Sequence, residues 1–307
     1  MSDFRLSTPV ALLIFNRPET TIEVLKAIKK AAPDHLFIIA DGPRDNNIED
    51  KKLCEKTRAL INLVDWPCKI TTSFSDSNLG CGARPATGIS WVFEHVEEAI
   101  FLEDDCVPDP SFFRFCQELL DKYRDDKRIM HISGCNFMFG RYQPESSYYF
   151  SRYSLSGGWA TWRRAWEKFD FDMSKWQEVR TTNWLQNLLN DRKAVWYWKR
   201  IFDNVTQGGK AHIWDFQWLF ACWIQTSLCI TPTVNLLSNI GYGANATHTR
   251  LPSKFSRIPT TTLQYPLSHP QLIKRDIQAD LIRQNDICPS VPYRYAKDLV
   301  KKLIRKR

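Results

Sequence analysis

Three consecutive carboxylates follow an apolar run near residue 100. Ala99-Ile100-Phe101-Leu102 leads directly into Glu103, Asp104 and Asp105. A continuous apolar run bounded by polar residues is typical of a strand buried on both faces of a parallel sheet. Ligands bind at the carboxyl ends of such strands, and crowded acids there favour a divalent cation. The alternative is that the two aspartates are solvated loop acids that lead to a helix N-cap at Asp109.

Three further apolar runs also end in polar residues. The segments Thr8–Phe15, His35–Ala40 and Lys69–Phe74 are followed by Asn16-Arg17, by Asp41 and by Asn78-Leu79-Gly80, respectively. Helical patterns separate these runs, and this alternation predicts an α/β fold with a mostly parallel sheet and right-handed crossovers. Because parallel strands end at the same edge, all four polar ends are expected to line one crevice.

The remaining elements are predicted from periodicity and breaks. Helices are expected over Thr20–Ala32, Glu49–Val64, Thr87–Val96, Ser111–Tyr123, Thr182–Leu189, Val195–Val205 and Asp215–Gln225, and strands over Ile129–Ile132, Tyr148–Phe150 and Leu228–Leu237. The second half is rich in Trp, and residues 250–270, rich in Pro, Ser and Thr, are expected to form a surface loop.

Composition excludes several classes of protein. The 307 residues are 43% hydrophobic, and no stretch approaches the roughly 20 apolar residues of a membrane span. The N-terminus has no hydrophobic region of a secretory signal, and nine cysteines without a Cys-x-x-Cys pair favour reduced thiols in the cytoplasm. Neither a dinucleotide-binding glycine motif nor a P-loop follows the first strand. The net charge of +8 suits an anionic partner.

In their order along the chain, these polar strand ends resemble those of inverting glycosyltransferases of the GT-A fold. The likeness is to bacterial family-two-like proteins, some of them called haemolysin-like, that are similar to N-acetylglucosaminyltransferase I. It implies a transferase domain over residues 1–250, with a nucleotide-binding half at about 8–137 and an acceptor half at about 138–250. Residues 251–307 would form a C-terminal loop and a basic helical tail.

The resemblance assigns roles at the sheet edge. Arg17 and Asp41 would contact the nucleobase end of a nucleoside-diphosphate sugar, with Asp41 accepting a hydrogen bond from a uracil N–H. Asp104 would contact the ribose or sugar, Glu103 the donor sugar, and Asp105 would bind Mn²⁺ or Mg²⁺, which offsets the charge of the leaving diphosphate. The donor-binding set is completed by Phe15, Asn16, Asn78, Gly80 and Arg84. For Arg84 the residue pattern leaves two alternatives, a phosphate contact and a solvated loop arginine.

Asp215 is the candidate general base, because it lies between Trp214 and Phe216 at the start of an apolar helix. Apolar surroundings raise the pKa of a carboxyl group towards a useful range, and the Trp-Asp pair resembles the one that carries the base in this family. Asp215 could instead act as the helix N-cap. Asp172 is the reserve candidate for the base.

The acceptor and a further metal ligand are predicted in the second half. Gly157, Gly158 and Trp159 resemble the acceptor loop of these enzymes, since paired glycines permit close approach and an indole face can stack on a sugar. His248 follows the last predicted strand, where GT-A enzymes commonly provide a metal or diphosphate ligand; a structural histidine is the alternative.

The predicted function is metal-dependent inverting transfer of a sugar from a nucleotide sugar to a glycan or lipid-linked acceptor in cell-surface polysaccharide synthesis. The resemblance implies that the donor is linked to UDP. Two alternatives stay open: a sugar-1-phosphate nucleotidyltransferase and a non-catalytic sugar-binding or effector protein. No nucleic-acid partner is expected, because the basic residues are dispersed. The expected location is cytoplasmic. The tail 297–307 has one apolar face among basic residues and would contact an anionic membrane at its inner face or serve as a solubilising end.

Overall fold

The structure is a computed structural model, and it describes residues 4–207, 213–241 and 254–288. The predicted ligand His248 and the tail 297–307 lie outside these residues. The strands are β1 (Val10–Ile14), β2 (His35–Ala40), β3 (Lys69–Phe74), β4 (Glu98–Glu103), β5 (Cys106–Pro108), β6 (Ile129–Ser133), β7 (Tyr148–Ser151), β8 (Gly158–Trp162), β9 (Leu228–Pro232) and β10 (Leu237–Asn239). The helices are α1 (Pro18–Ala31), α2 (Ile48–Ala59), α3 (Gly80–His95), α4 (Pro110–Lys122), α5 (Arg163–Trp166), α6 (Trp176–Val179), α7 (Trp184–Leu189), α8 (Arg192–Thr206), α9 (Trp214–Ile224) and α10 (Ile277–Ile287).

One eight-stranded sheet, flanked by helices, forms the centre of the molecule. Its strand order is β3-β2-β1-β4-β8-β6-β9-β7. The first four strands in this order are parallel to one another, and β6 and β9 form a fourth parallel pair. The other three pairings, β4 with β8, β6 with β8 and β7 with β9, are antiparallel. The predicted α/β class with a mostly parallel central sheet is therefore confirmed.

The segment predicted as an acceptor loop is in part a strand. Gly158–Trp162 forms β8, which pairs with both β4 and β6 and is buried along its whole length. A Cβ atom on Gly158 would lie 2.5 Å from the side chain of Leu237 and 3.0 Å from that of Leu102. Two consecutive glycines indicate a loop, but Gly158 instead permits close packing within the sheet.

A two-stranded antiparallel ribbon returns the chain to the acidic triplet. The expected single strand Leu228–Leu237 is divided: β9 ends at Pro232 in the large sheet, and β10 pairs with β5. Proline lacks the N–H that would continue the ladder, which explains the break. In the ribbon Asn239 lies opposite Cys106, the residue that follows the triplet.

Helix α3 begins at Gly80, seven residues before its predicted start at Thr87. The prediction placed the helix after Pro85, but the helix contains this proline. Gly80, with φ of +81°, begins the helix in a conformation that favours glycine. The earlier start brings Cys81 at the helix N-terminus within electrostatic range of Glu103 and Asp215.

Most tryptophans serve the core. Eight of the twelve are buried, which indicates packing and not sugar stacking as their main role. In the described part of the chain, no helix combines the length and the apolar character that a membrane crossing needs.

Candidate active site

Arg17 neutralises two members of the acidic triplet. It follows β1, and its guanidinium binds both carboxylate oxygens of Asp104, while its Nη1 lies 2.8 Å from Oδ2 of Asp105. Burial alone would lower the pKa of Arg17, but the charges of Asp104 and Asp105 raise it overall. Burial raises the pKa of Asp104 to about 6 against the opposing effect of Arg17. The residue expected at the nucleobase end of the donor is thus used to hold the acids in place.

Glu103 and Asp105 form the part of the triplet that fits a hard cation. Their carboxylate oxygens and the thiol of Cys106 offer ligand atoms that lie within 4.8 Å of one another. Burial, followed by the charges of Asp105 and Asp215, raises the pKa of Glu103 well above its usual value. Burial likewise raises the pKa of the Cys106 thiol, so this sulfur stays protonated. Carboxylate oxygens are the ligands that suit Mn²⁺ or Mg²⁺.

The end of the ribbon and the two residues after it add three contacts to Asp105 that sequence reasoning missed. Asn239 donates from Nδ2 to Oδ1 of Asp105 over 3.1 Å, and the N–H of Ile240 donates to the carbonyl of Asp105 over 2.8 Å. Gly241 lies against the same carboxylate and donates its N–H to Oδ1 of Asn239. The only sequence signal was the polar, glycine-containing segment after the predicted last strand. These contacts hold the side chain and the backbone of Asp105 in a fixed orientation.

A methyl group at position 241 is expected to disturb the cation site. A Cβ on Gly241 would lie 1.9 Å from Oδ2 of Asp105, so Gly241→Ala must displace that carboxylate. We expect Mn²⁺ affinity, measured by calorimetric titration, to fall by about 10- to 100-fold, as for changes in groups that orient a ligand. Ser238→Ala, on the neighbouring strand β10, is the control and should bind Mn²⁺ normally. Equal affinity of Gly241→Ala and wild type would contradict this placement of the cation.

Asp41 is occupied within its own loop. Its Oδ1 accepts from the N–H groups of Gly42 and Leu79, and its Oδ2 accepts from Nδ2 of Asn78 and the N–H of Gly80, all at 2.8–3.0 Å. A carboxylate has about four acceptor positions, and all are used. We therefore assign Asp41, Asn78 and Gly80 to the turn that begins α3, instead of an Asp41 contact with uracil.

Arg84 is also occupied by the sheet edge. It is 7% exposed, and it donates from Nε to the carbonyl of Ala40 over 3.1 Å and from Nη2 to the carbonyl and hydroxyl of Ser73. Burial lowers its pKa. Arg84 thus joins the ends of β2 and β3, a role that differs from both sequence alternatives, the phosphate contact and the solvated loop arginine.

Phe15 and Asn16 lie beside a second buried acid. Asn16 donates from Nδ2 to Oδ1 of Asp50 over 2.7 Å. Arg44 binds the same carboxylate, and its guanidinium lies 5.7 Å from the ring centroid of Phe15. Asp50, which carried no sequence signal, therefore organises the end of β1 and the loop after β2.

Asp215 is not the cap of its helix. The N-cap of α9 is Ile213, which makes no side-chain cap, and Asp215 is the second helical residue. Its Oδ1 is buried and has no hydrogen-bond partner among the described residues. Burial raises the pKa of Asp215 to about 6, opposed by the N–H groups of Phe216 and of Asp215 itself. Asp215 is thus a carboxyl group near Glu103 with one buried oxygen, Oδ1, that has no hydrogen-bond partner in the described part of the chain.

A cavity of about 510 Å³ extends from Asp215 to residues that contact Asp105. Its lining includes Asp215, Gly157 and also Cys106 and Asn239, both of which contact Asp105. Trp198 and Arg283 also line the cavity. Nε1 of Trp198 and both Nε and Nη1 of Arg283 are buried and, like Oδ1 of Asp215, have no hydrogen-bond partner in the described ranges. Because unsatisfied buried polar atoms are costly, this wall is suited to a polar ligand.

Trp159 does not reach this cavity. The indole is 1% exposed, and its ring centroid lies 5.0 Å from that of His131 and 5.3 Å from that of Trp214, both nearly parallel to it. No face is open to an acceptor sugar, so we assign Trp159 to the core that supports α9. Of the three predicted acceptor residues, Gly157 alone is among those that line the cavity.

Comparison with known proteins gives limited information. No protein-family model matches the sequence, and no curated protein matches it either. Among solved structures, S. aureus TarS residues 1–349 is 14% identical, with 54% of this chain and 49% of that chain covered and a TM-score of 0.36. The match thus spans about half of that TarS chain. The mannosyltransferase PcManGT from Pyrobaculum calidifontis, in complex with GDP-Man and Mn²⁺, is 12% identical, with 72% and 70% covered and a TM-score of 0.40. Likenesses of this size do not identify the protein, and its function must be argued from the site.

Proposed function

We propose that this protein is a metal-dependent inverting glycosyltransferase. It would move a sugar from a nucleoside-diphosphate donor, UDP-linked by the sequence resemblance, to a hydroxyl of a glycan or lipid-linked sugar. The observation that carries this proposal is the unpartnered Oδ1 of Asp215, in a cavity that also reaches the residues around Asp105. A base close to a cation site is what metal-dependent inverting transfer requires.

The donor half of the reaction belongs to the sheet edge. Glu103 and Asp105 would hold Mn²⁺ or Mg²⁺, which supplies positive charge for the leaving diphosphate when bound. Arg17 keeps Asp104 and Asp105 together although both are acids, and Asn239 fixes the orientation of Asp105. Such contacts would hold the proposed donor-binding residues in position before the substrate arrives, which supports the proposal.

The acceptor half belongs to Asp215. Its carboxylate would take the proton of the acceptor hydroxyl while that oxygen forms a bond to the anomeric carbon. The bond from the anomeric carbon to the diphosphate oxygen breaks on the opposite face, and the electron pair leaves with the diphosphate. One displacement of this kind inverts the configuration of the sugar.

The structure offers less support for the two alternatives. A nucleotidyltransferase would need a glycine-rich loop after the first strand, but only Phe15, Asn16 and Arg17 separate β1 from the start of α1 at Pro18. A non-catalytic sugar-binding protein has no need for a buried carboxylate without a partner or for crowded acids. Both features are costly, which favours catalysis.

A donor panel tests the proposal. Purified protein is titrated by calorimetry with UDP-, GDP-, dTDP- and CMP-linked sugars in the presence of Mn²⁺, and hydrolysis or transfer is followed by release of the nucleotide. We expect at least one donor to bind and turn over, and EDTA to abolish both effects. If no donor binds with Mn²⁺ present, the glycosyltransferase proposal fails.

A further inference from the structure

Arg283 on α10 has two buried guanidinium nitrogen atoms that make no hydrogen bond. Its Nε and Nη1 are shielded from solvent and donate to no acceptor within residues 4–207, 213–241 and 254–288. The guanidinium carbon lies 4.9 Å from the ring centroid of Phe137 and 5.5 Å from that of Phe255. Burial lowers the pKa of Arg283, and the charge of Asp286 opposes this effect only in part. Since arginine stays charged in proteins, this positive charge is only partly offset by the described residues.

The neighbouring acid cannot neutralise this charge, because other cations already bind it. Oδ1 of Asp286 accepts from Nη1 of Arg141 over 3.1 Å and from Nζ of Lys254 over 2.9 Å, and Oδ2 accepts from Nη2 of Arg141. Three cations therefore surround one carboxylate at this end of the cavity. Arg283 and Asp286 both line the cavity, whereas Arg141 and Lys254, which bind Asp286, do not belong to its lining.

We propose that the acceptor carries an anionic group, a carboxylate or a phosphate, which Arg283 binds while the reacting hydroxyl faces Asp215. This inference rests on the proposed function and specifies its acceptor. The guanidinium presents a planar fork of N–H donors that matches the oxygens of either group. The aromatic rings of Phe137, Phe255 and Trp198 keep water away and strengthen the attraction. The buried Nε1–H of Trp198 offers a further donor to a sugar oxygen in the same cavity.

Small anionic sugars test this without knowledge of the full acceptor. Wild-type protein is titrated with glucuronate, glucose 6-phosphate and neutral glucose, and binding is followed by calorimetry and by tryptophan fluorescence. We expect at least one anionic sugar to bind about tenfold or more tightly than glucose, as charge-assisted hydrogen bonds imply. Preference for glucuronate indicates a carboxylate and preference for glucose 6-phosphate a phosphate. The absence of any preference in the wild type overturns the proposal and needs no variant.

Variants then locate the effect. Arg283→Gln should lose the preference for the anion and keep binding of Mn²⁺ and the donor, whereas Arg192→Gln, at an exposed arginine on α8, should behave as wild type. Arg283→Lys keeps the charge but not the fork, and should retain part of the preference if Arg283→Gln does not fold. An anion preference unchanged in both Arg283 variants places the anion elsewhere and overturns the inference. The donor panel separates the two proposals: donor binding without anion preference refutes the acceptor assignment alone.

Discussion

Asp215→Asn is expected to lower the rate of sugar transfer by about 10²- to 10⁴-fold, the usual contribution of a general base. The amide is nearly the same size as the carboxyl group but cannot take a proton from the acceptor. Donor binding should be unchanged, because Asp215 lies on α9 and makes no contact with Arg17 or Asp105 in the described structure. Transfer is measured as product formation, and donor affinity by calorimetry with Mn²⁺.

Asp172→Asn is the matched control for this change. Asp172 was the reserve candidate for the base, and it is exposed and absent from the residues that line the cavity. The same substitution there should leave transfer within about twofold of wild type, as for most surface changes. Full turnover of Asp215→Asn would refute the base assignment, and Glu103, which has a raised pKa near the same cavity, would be the next candidate.

The pH profile follows from the same assignment. Burial raises the pKa of Asp215 to about 6, and a base must be unprotonated to act. The kcat/KM of wild type should therefore rise with pH through about 6 and level off above about 7. Glu103 on β4 and Cys81 on α3 are the titratable groups within electrostatic range of Asp215. The residual activity of Asp215→Asn should lack this acidic limb, and its persistence would place the titrating group elsewhere.

Asp105→Asn is expected to weaken Mn²⁺-dependent donor binding by at least about 100-fold, because the amide removes both the charge and the better oxygen ligand. Arg17 retains Asp104 as a partner, so the sheet edge should stay folded. Calorimetric titration of the donor with and without Mn²⁺ measures the effect, and thermal unfolding checks the fold. Asp121→Asn, at an exposed site on α4, is the control. Donor affinity equal to wild type would show that Asp105 is no metal ligand.

Contacts with distant backbone explain why several predicted donor residues have structural roles. Asp41 and Arg84 have the residue types and positions of ligand-binding groups, and both do lie at the polar edge of the sheet. Their side chains, however, are fully engaged by N–H and carbonyl groups of the adjacent loop and strand. Whether a polar side chain faces a ligand or the backbone depends on burial, which residue type and spacing do not specify.

The Trp159 segment shows the same limit for apolar residues. The sequence pattern of two glycines followed by Trp is the same whether the segment forms an open loop or a closely packed strand. The difference is made by Leu237 and His131, which come from other parts of the chain and cover Gly158 and Trp159. Pairing of β8 with β4 and β6 therefore could not be predicted from the segment itself.

The sequence by itself determined the α/β class and the acidic edge, because both follow from local patterns: apolar runs form buried strands, and parallel strands bring their polar ends together. It also made Asp215 the candidate base from its apolar neighbours, and that assignment stays a prediction. Only the tertiary structure decided that Asn239 and Gly241 support Asp105, 134 residues away from Asn239, and that two guanidinium nitrogen atoms of Arg283 are buried without a hydrogen-bond partner in the described ranges. Such facts depend on which distant segments pack together and exclude water, and desolvation of this kind has no signature in the local sequence.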